Sequence, residues 1–303
     1  MKRILTTTAL VALVTGTVAA EGVKYAQLSY DRNSYDADGA ELDIDEFVAE
    51  IEYQTGQFLI TGNIENRAAE TDDAEGTSRE ISIGGGYFIT PDVLIGGTVS
   101  NFDNDVDDQT SAGAFAQFDN GQIGAAIRID QNLDTNDTAY LAYGEFAASP
   151  GFDISVGLIS SGEDDSGTAY VLAADYEQGP IDARGYLFGN SETDSNIFGV
   201  RGAYAFAGQF RGTAGFESGS GDGADYTAYN IGAGYEITDG AWIDASIGQI
   251  DVDGGASVDT LSLSVSFETG DHVRLDRKFA RDLREDFNSG GALFASTVSD
   301  FES

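Results

Sequence analysis

Several features common in soluble enzymes and helical membrane proteins are rare or missing in this chain. Its 303 residues include no cysteine, one histidine, one tryptophan and three prolines. Without cysteine the fold has no disulfide framework, so hydrogen bonding and burial must hold it together. Beyond the N-terminus, no apolar run approaches the roughly 20 residues that a membrane-spanning helix needs. These absences exclude a disulfide scaffold and a helical membrane protein.

Basic residues are scarce as well. The chain carries 15 Lys and Arg against 52 Asp and Glu, a formal net charge of −37. This charge repels phosphate and disfavours nucleic-acid binding. The single histidine, His272, lies near the C-terminus, so an active site that moves protons through histidine has little support. Carboxylates are abundant, but no pair is marked as a hydrolase pair, and we expect no enzymatic activity.

What the chain has in abundance is alternation of apolar with small or polar residues. Leu261, Leu263 and Val265, for example, alternate with Ser262 and Ser264. A strand that touches lipid on one face and water on the other needs this period over about 9–11 residues, and a closed barrel avoids unpaired edges. Sixteen such runs predict an all-β fold: a transmembrane, antiparallel, up-and-down β-barrel of about 16 strands.

The sixteen strands are expected near 22–32, 43–53, 57–67, 78–88, 92–102, 110–118, 121–130, 137–147, 151–160, 168–177, 180–189, 195–206, 208–217, 225–236, 241–250 and 257–268. Short connections alternate with longer, acid-rich ones at 33–43, 68–77, 103–110 and 161–167. Short turns belong on the periplasmic side and longer loops outside. Pro91, Pro150 and Pro180 all fall in the short connections. Proline has no backbone N–H to donate to a neighbouring strand, and in a turn this hydrogen bond is not needed.

Aromatic residues near the ends of the predicted strands suggest two girdles at the membrane interfaces. Those near the short turns are Tyr87, Phe88, Phe146, Phe152, Tyr176, Tyr204, Phe206, Phe210, Tyr235 and Trp242; those near the opposite ends are Tyr30, Phe102, Tyr140, Tyr170, Phe216 and Tyr226. The competing interpretation is that aromatic residues close strand ends in a soluble β-sandwich.

The N-terminus indicates export. Lys2 and Arg3 precede an apolar centre at 4–14 and a small-residue cleavage site at 18–20, the order of a secretory signal peptide. A membrane anchor is the alternative, but the apolar stretch is short for one. We therefore divide the chain into a signal peptide at 1–20, a barrel at 21–268 in the outer membrane and a C-terminal tail at 269–303.

Charged residues on the water-facing side of the strands are candidate pore-lining residues. The basic ones are Arg128, Arg184, Arg201 and Arg211, and the acidic ones are Glu46, Glu50, Glu52 and Glu65. Three of the arginines lie on predicted strands 11–13, roughly across the ring from the glutamates on strands 2 and 3. Facing patches of opposite charge would set up a transverse field; alternatively, each arginine pairs with a neighbouring carboxylate.

The predicted outer loops are acidic. Their carboxylates include Asp36, Asp38, Asp72, Asp73, Glu75, Asp103, Asp105, Asp107, Asp108, Glu163, Asp164, Asp165, Asp222 and Asp225. Such a rim concentrates cations and could bind Ca²⁺ between loops, although spacing alone identifies no ligand set. The alternative is that the acidity only keeps the loops soluble in a saline habitat. No other cofactor is expected.

The tail carries a second periodicity. Leu275, Phe279, Leu283 and Phe287 recur every four residues, with five basic residues between 274 and 284. This pattern predicts an amphipathic basic helix that is either periplasmic or a plug in the lumen. Binding of the helix to anionic lipid, a loosely ordered extension, or a final strand at 291–301 that closes the barrel are the alternatives.

The signal peptide, the sixteen short strands, the acidic loops and the length together resemble the general-diffusion porins of alphaproteobacteria, the Rhodobacter-type group. The resemblance implies a passive, homotrimeric outer-membrane channel, narrowed by a long third loop in which arginines oppose acidic residues. Here the third loop, at 103–109, is too short to fold inward, and 36 residues follow Phe267, which matches the family's terminal aromatic residue.

From this resemblance and the charge we expect a water-filled porin for small hydrophilic solutes and ions that prefers cations, with outer-membrane lipid and those solutes as its partners. The alternative is a structural or adhesive barrel that the tail closes and whose acidic loops bind ions or a partner.

Overall fold

A closed β-barrel makes up most of the computed structural model, which describes residues 22–37, 40–71, 74–162, 167–191, 195–206, 208–221, 224–253 and 257–288. The predicted signal peptide lies outside the described residues. The strands are β1 Val23–Ala37, β2 Ala40–Thr55, β3 Phe58–Thr71, β4 Glu75–Thr90, β5 Val93–Asn104, β6 Asp108–Asp119, β7 Ile123–Asn132, β8 Thr138–Ser149, β9 Phe152–Ser161, β10 Thr168–Gln178, β11 Ile181–Asn190, β12 Ser195–Ala205, β13 Phe210–Gly221, β14 Ala224–Thr238, β15 Ala241–Val252 and β16 Ser257–Gly270.

Every strand pairs antiparallel with its neighbours in chain order, and β16 pairs with β1, where Leu28 lies opposite Phe267. The predicted sixteen-stranded up-and-down barrel is therefore confirmed. The ring closes through the pairing of β1 with β16; the alternative closing strand at 291–301 lies outside the described residues. A closed ring leaves no strand edge unpaired, as a wall in lipid requires.

Alternate residues of each strand face outward and inward, as the pattern predicts. Ile127 and Ile129 on β7 are exposed outside, whereas Arg128 between them contacts groups in the interior. On β16, Leu261 and Leu263 face outward. The outer wall is thus apolar, the property that a lipid-facing surface needs.

Two of the predicted outer loops are shorter than expected, which corrects the strand ends beside them. Strands β1 and β2 include 33–37 and 40–43 of the predicted loop 33–43, and β3 and β4 include 68–71 and 75–77 of the predicted loop 68–77. The strands continue into the predicted loops because backbone N–H and C=O groups that pair with each other are satisfied outside the lipid as well as within it. Asp36 on β1, for instance, lies opposite Glu41 on β2. The third loop, between Asn104 and Asp108, is as short as expected.

Some of the aromatic residues predicted to form the two girdles lie on the outer wall, and others face the interior. Tyr87, Tyr204 and Phe210 are exposed on the outer wall. Phe88 instead packs against an interior cluster, because the residue after an outward-facing one must face inward. For the same reason Trp242 lies inside beneath the Arg211 guanidinium, 4.0 Å from the ring centroid, and Tyr226 is buried.

One helix, α1 (Leu275–Asn288), follows β16 after a four-residue link. It confirms the helix predicted from the four-residue repeat. Among the described residues, no helix combines the length and the apolar character needed to cross a bilayer. We call the end of the barrel that holds Val23 and Gly270 the turn end, and the opposite end the loop end.

Candidate functional site in the barrel interior

Helix α1 lies inside the barrel. Its residues contact groups on β2, β3, β4, β6, β7, β8, β9, β11, β12 and β16. These strands surround the lumen, so only an interior position satisfies all the contacts. The helix therefore divides the lumen into a filled part and a remaining space.

The apolar face of α1 packs on an apolar part of the inner wall. Leu275, Phe279 and Leu283 are almost fully buried in one cluster with residues of β7–β12, which are Ala126, Tyr143, Ile159, Ala169, Val171, Ala173, Tyr186, Phe188 and Ile197. The Phe279 and Tyr143 rings lie 5.1 Å apart between centroids. Exposing this apolar part of the inner wall to water would be unfavourable, so covering it with the helix stabilises the docked position.

A glycine on the wall makes room for this packing. A Cβ added to Gly157 on β9 would lie 2.0 Å from Cζ of Phe279, well inside van der Waals contact. On β7, a Cβ added to Gly124 would lie 2.9 Å from Cδ1 of Leu275. The wall is recessed where the helix side chains approach it, so the two surfaces are complementary in shape as well as in polarity.

Side chains of the barrel cap the start of the helix. The Glu52 carboxylate accepts hydrogen bonds from the backbone N–H groups of Val273 (2.6 Å) and Arg274 (3.3 Å). Gln117 accepts from the Leu275 N–H (3.1 Å) and donates to the Val273 carbonyl (2.6 Å). These N–H groups have no partner within a helix, and a carboxylate there also interacts favourably with the helix dipole.

Basic side chains of α1 pair with carboxylates on the wall. Arg284 Nη1 lies 3.2 Å from Glu65 Oε2, and Arg277 Nη1 lies 3.6 Å from Glu50 Oε1. Lys278 donates to Glu145 on β8 (2.7 Å). Arg281 pairs with Glu268 on β16. Three of the four predicted acidic pore-lining residues, Glu50, Glu52 and Glu65, therefore contact the tail.

Acidic side chains of α1 pair with arginines elsewhere on the wall. Arg184 Nε donates to both Asp286 oxygens at 2.9 Å, and its Nη1 also binds Asp175 on β10. Arg201 donates to Glu285 at 2.9 Å. The helix is thus not simply basic, as predicted: it presents positive charge towards β2 and β3 and negative charge towards β11 and β12.

The remaining predicted residues also lie on the inner wall. Arg128 Nε lies 2.7 Å from Asp130 Oδ2, and its Nη1 lies 3.7 Å from Asp276 of the helix. Arg211 forms a two-pronged pair with Asp244 on β15 (2.6 and 2.8 Å). Glu46 lines the remaining space. Glu50, Glu52 and Glu65 do not face the arginine patch across open water, because the tail lies between them.

Sequence reasoning missed several partners. Glu145, Glu268 and Gln117 were not singled out, although each has the parity of an inward-facing residue in its strand. The roles of Asp282 and Asp286 on the helix were also missed, because the predicted helix was described by its basic residues alone, whereas these two carboxylates pair with Arg184. Parity could have identified the wall residues; the pairing itself depends on how the helix enters the barrel.

His272 and Glu285 of the tail both have pKa values well below their ordinary ones. Burial lowers the pKa of His272, in the link before α1, to about 4, so its imidazole is neutral near pH 7. Burial acts to raise the pKa of Glu285, but Arg201 and Arg281 outweigh it and hold that pKa at about 2. Glu285 therefore remains a carboxylate in its ion pairs.

A polar cavity of about 930 Å³ remains beside the helix. It extends from Gly240 and Glu177 at the turn end towards Tyr35 near the loop end. One wall is a row of hydroxyl side chains on β16, which are Thr260, Ser262, Ser264 and Ser266. The opposite side is formed by α1, through Lys278, Arg281, Asp282, Arg284 and Glu285. We call this cavity the passage.

The passage is lined mainly by polar and charged groups. Acidic residues outnumber basic ones along it, eleven to six. Most of the acidic ones lie near the turn end; Asp153, Asp175, Asp182, Glu268 and Asp271 are examples. Each arginine of the passage has a carboxylate partner, so the excess negative charge is what a solute meets.

No protein-family model matches the chain, and neither does any curated protein sequence at a significant level. Solved structures do resemble it. Pseudomonas aeruginosa OpdQ has a TM-score of 0.54 at 11% identity, over 82% of this chain and 99% of that one. P. aeruginosa OpdK, solved with vanillate, has a TM-score of 0.51 at 11% identity, over 81% and 98%. A triple mutant of the Rh. blastica porin has a TM-score of 0.52 at 12% identity, over 80% and 100%.

This likeness is one of fold. The chain has the fold of outer-membrane porins, and the closed barrel with an apolar outer wall confirms the predicted location in the outer membrane.

Proposed function

We propose that the chain is a porin-type channel in which small hydrophilic solutes and ions diffuse through the passage beside α1, with cations preferred. The observation that carries the proposal is the passage itself, a polar cavity that extends along the barrel next to a docked helix. A barrel built only as a structural or adhesive element would need no such hydrophilic space. The porin fold of the wall supports the same conclusion.

The dimensions of the passage suit small solutes. Spread over a membrane band about 25 Å tall, its volume of about 930 Å³ corresponds to a width on the order of 7 Å for the centres of water-sized molecules. That width admits water, inorganic ions and small polar molecules, and it excludes larger ones. In this proposal α1 does what an inward-folded loop does in the Rhodobacter-type porins: it narrows an otherwise wide barrel.

The charge of the lining supports cation preference. In a narrow, low-dielectric passage, an excess of fixed carboxylates raises the local concentration of cations and lowers that of anions. The acidic residues near the turn end, such as Asp153 and Asp271, contribute most of this excess. The row of β16 hydroxyls offers hydrogen bonds to uncharged solutes and adds no charge of its own.

Planar-bilayer recordings of the mature chain test the proposal. Full-length protein should give discrete ohmic steps, with a reversal potential in a KCl gradient that favours K⁺ over Cl⁻. A chain that ends at Gly270 lacks α1 and should give much larger steps with weaker selectivity. Silent full-length insertions together with conducting truncated ones would refute the channel and favour the closed structural barrel.

Homotrimer formation and calcium binding remain predictions. The homotrimer implied by the porin resemblance is tested by native mass spectrometry in detergent. Calcium binding at the loop end is tested by titration. Within the described part of the loops, carboxylates already connect neighbouring hairpins: Asp105 accepts from Thr77, and Asp103 pairs with Arg79.

A further inference from the structure

Where the tail enters the barrel, a histidine and two carboxylates come together. His272 Nδ1 lies 3.1 Å from Glu52 Oε1 and 4.0 Å from Glu50 Oε1. The three ligand atoms all lie within 4.8 Å of one another. Glu50 and Glu52 are two residues apart on β2 and so point to the same side of the wall, whereas His272 comes from the link before α1.

The second observation concerns Glu50. Its side chain is only 4% exposed, and Oε1, the oxygen nearest the imidazole, accepts no hydrogen bond from any described residue. A buried carboxylate oxygen without a hydrogen bond is costly. Its nearest charged neighbour is Arg277 Nη1 at 3.6 Å, which is beyond hydrogen-bond distance.

The surroundings hold the other two ligands in place. Glu52 uses Oε2 to accept the backbone N–H groups of Val273 and Arg274, which leaves Oε1 directed at His272. The His272 ring stacks on Tyr25, with centroids 3.5 Å apart. Fixing the orientation of a ligand through its other atoms is how proteins build metal sites.

We propose that Glu50, Glu52 and His272 bind a divalent transition-metal ion, with Zn²⁺ the best match. Imidazole and carboxylates are ligands that zinc accepts, at roughly 2.0–2.2 Å. Ca²⁺ and Mg²⁺ prefer oxygen ligands alone, so the imidazole nitrogen disfavours both ions at this site. A movement of about an ångström by Glu50 would bring its oxygen to the spacing of a tetrahedral site. Arg277 would then keep its hydrogen bond to Ser82.

Such an ion would connect β2 to the start of the tail, so its binding free energy would add to that of helix docking. Asp271, the residue before His272, lines the passage, so the site lies next to that space. The proposal is independent of conduction, because binding is measured on protein in detergent.

The experiment uses the untagged mature chain, stripped with EDTA, refolded in detergent and titrated with ZnCl₂ in excess Mg²⁺, which occupies the acidic loops. Isothermal calorimetry should show one Zn²⁺ per chain. In H272Q and E50Q the affinity should fall at least tenfold. The matched control is E65Q, which removes a different contact between wall and helix and should bind Zn²⁺ as the wild type does.

Because the chain has a single histidine, NMR of the imidazole gives a second readout that needs no variant. One set of ring resonances should shift on addition of one equivalent of Zn²⁺. Heat-modifiable migration on gels establishes that each variant is folded. Absence of Zn²⁺ uptake by folded wild-type protein, unshifted imidazole resonances, or equal affinity in H272Q would overturn the proposal.

Discussion

Replacing Phe279 by alanine should loosen the helix from the wall. Its side chain is buried in the cluster with Tyr143 and fills the recess at Gly157. Truncating a buried Phe to Ala costs about 3–5 kcal/mol, and each 1.4 kcal/mol is a factor of about ten. The ratio of docked to undocked helix should therefore fall by roughly 100- to 4,000-fold.

Hydrogen exchange measures that change directly, because amide protection reports the free energy of local opening. Backbone amides of α1 should lose protection in Phe279→Ala, while those of the barrel strands keep it. Phe216→Ala is the matched control, since Phe216 is exposed on the outer wall. Unchanged protection of α1 in Phe279→Ala, or an equal loss in Phe216→Ala, would refute the packing argument.

Three further changes test the same interface. Glu65→Arg should destabilise docking and Arg284→Glu in the same chain should restore it, with a coupling of about 1–3 kcal/mol in a double-mutant cycle; additive effects would contradict the pair. Gly157→Ala should cost about 1–3 kcal/mol of docking by overpacking against the helix, whereas Gly144→Ala, where the added Cβ meets nothing closer than 3.7 Å, should leave α1 exchange unchanged. Acid should also release the helix. The pKa of Glu285 is about 2, below its ordinary 4.5, so its contribution is present above pH 4.5 and is lost as the pH falls towards 2. Because this side chain is 37% exposed, we expect only about 1–2 kcal/mol from it. Bilayer recordings should show more frequent large openings at about pH 3 than at about pH 6, and identical traces would contradict the assignment.

The alternation of apolar with polar or small residues along the strands allowed most of the fold to be predicted. It placed all sixteen strands and set the inward parity of Arg128, Arg184 and Glu50, because a one-residue error would turn every side chain of a strand to the wrong face. The four-residue repeat placed α1. Loop lengths were overestimated, since polar residues at the loop end, such as Asp36, also occur in paired strands.

The interior was harder to predict because its contacts join distant parts of the chain. Glu52 and Val273 are 221 residues apart in sequence, and no local pattern connects them. The apolar inner face of β7–β12 was a readable sign: Val171 and Ile197 have inward parity yet are apolar, so something other than water must cover them. Residues of this kind indicate an internal element in a barrel.

Cysteine modification during recording tests the central claim, that a water-filled passage runs between β16 and α1. The chain has no cysteine, so a single substitution gives an unambiguous signal. Ser264 lines the passage, and its neighbour Leu263 faces outward. A small cationic methanethiosulfonate should reduce the current stepwise in Ser264→Cys and leave Leu263→Cys unchanged. An unaffected current in Ser264→Cys, or equal block in both variants, would contradict the account.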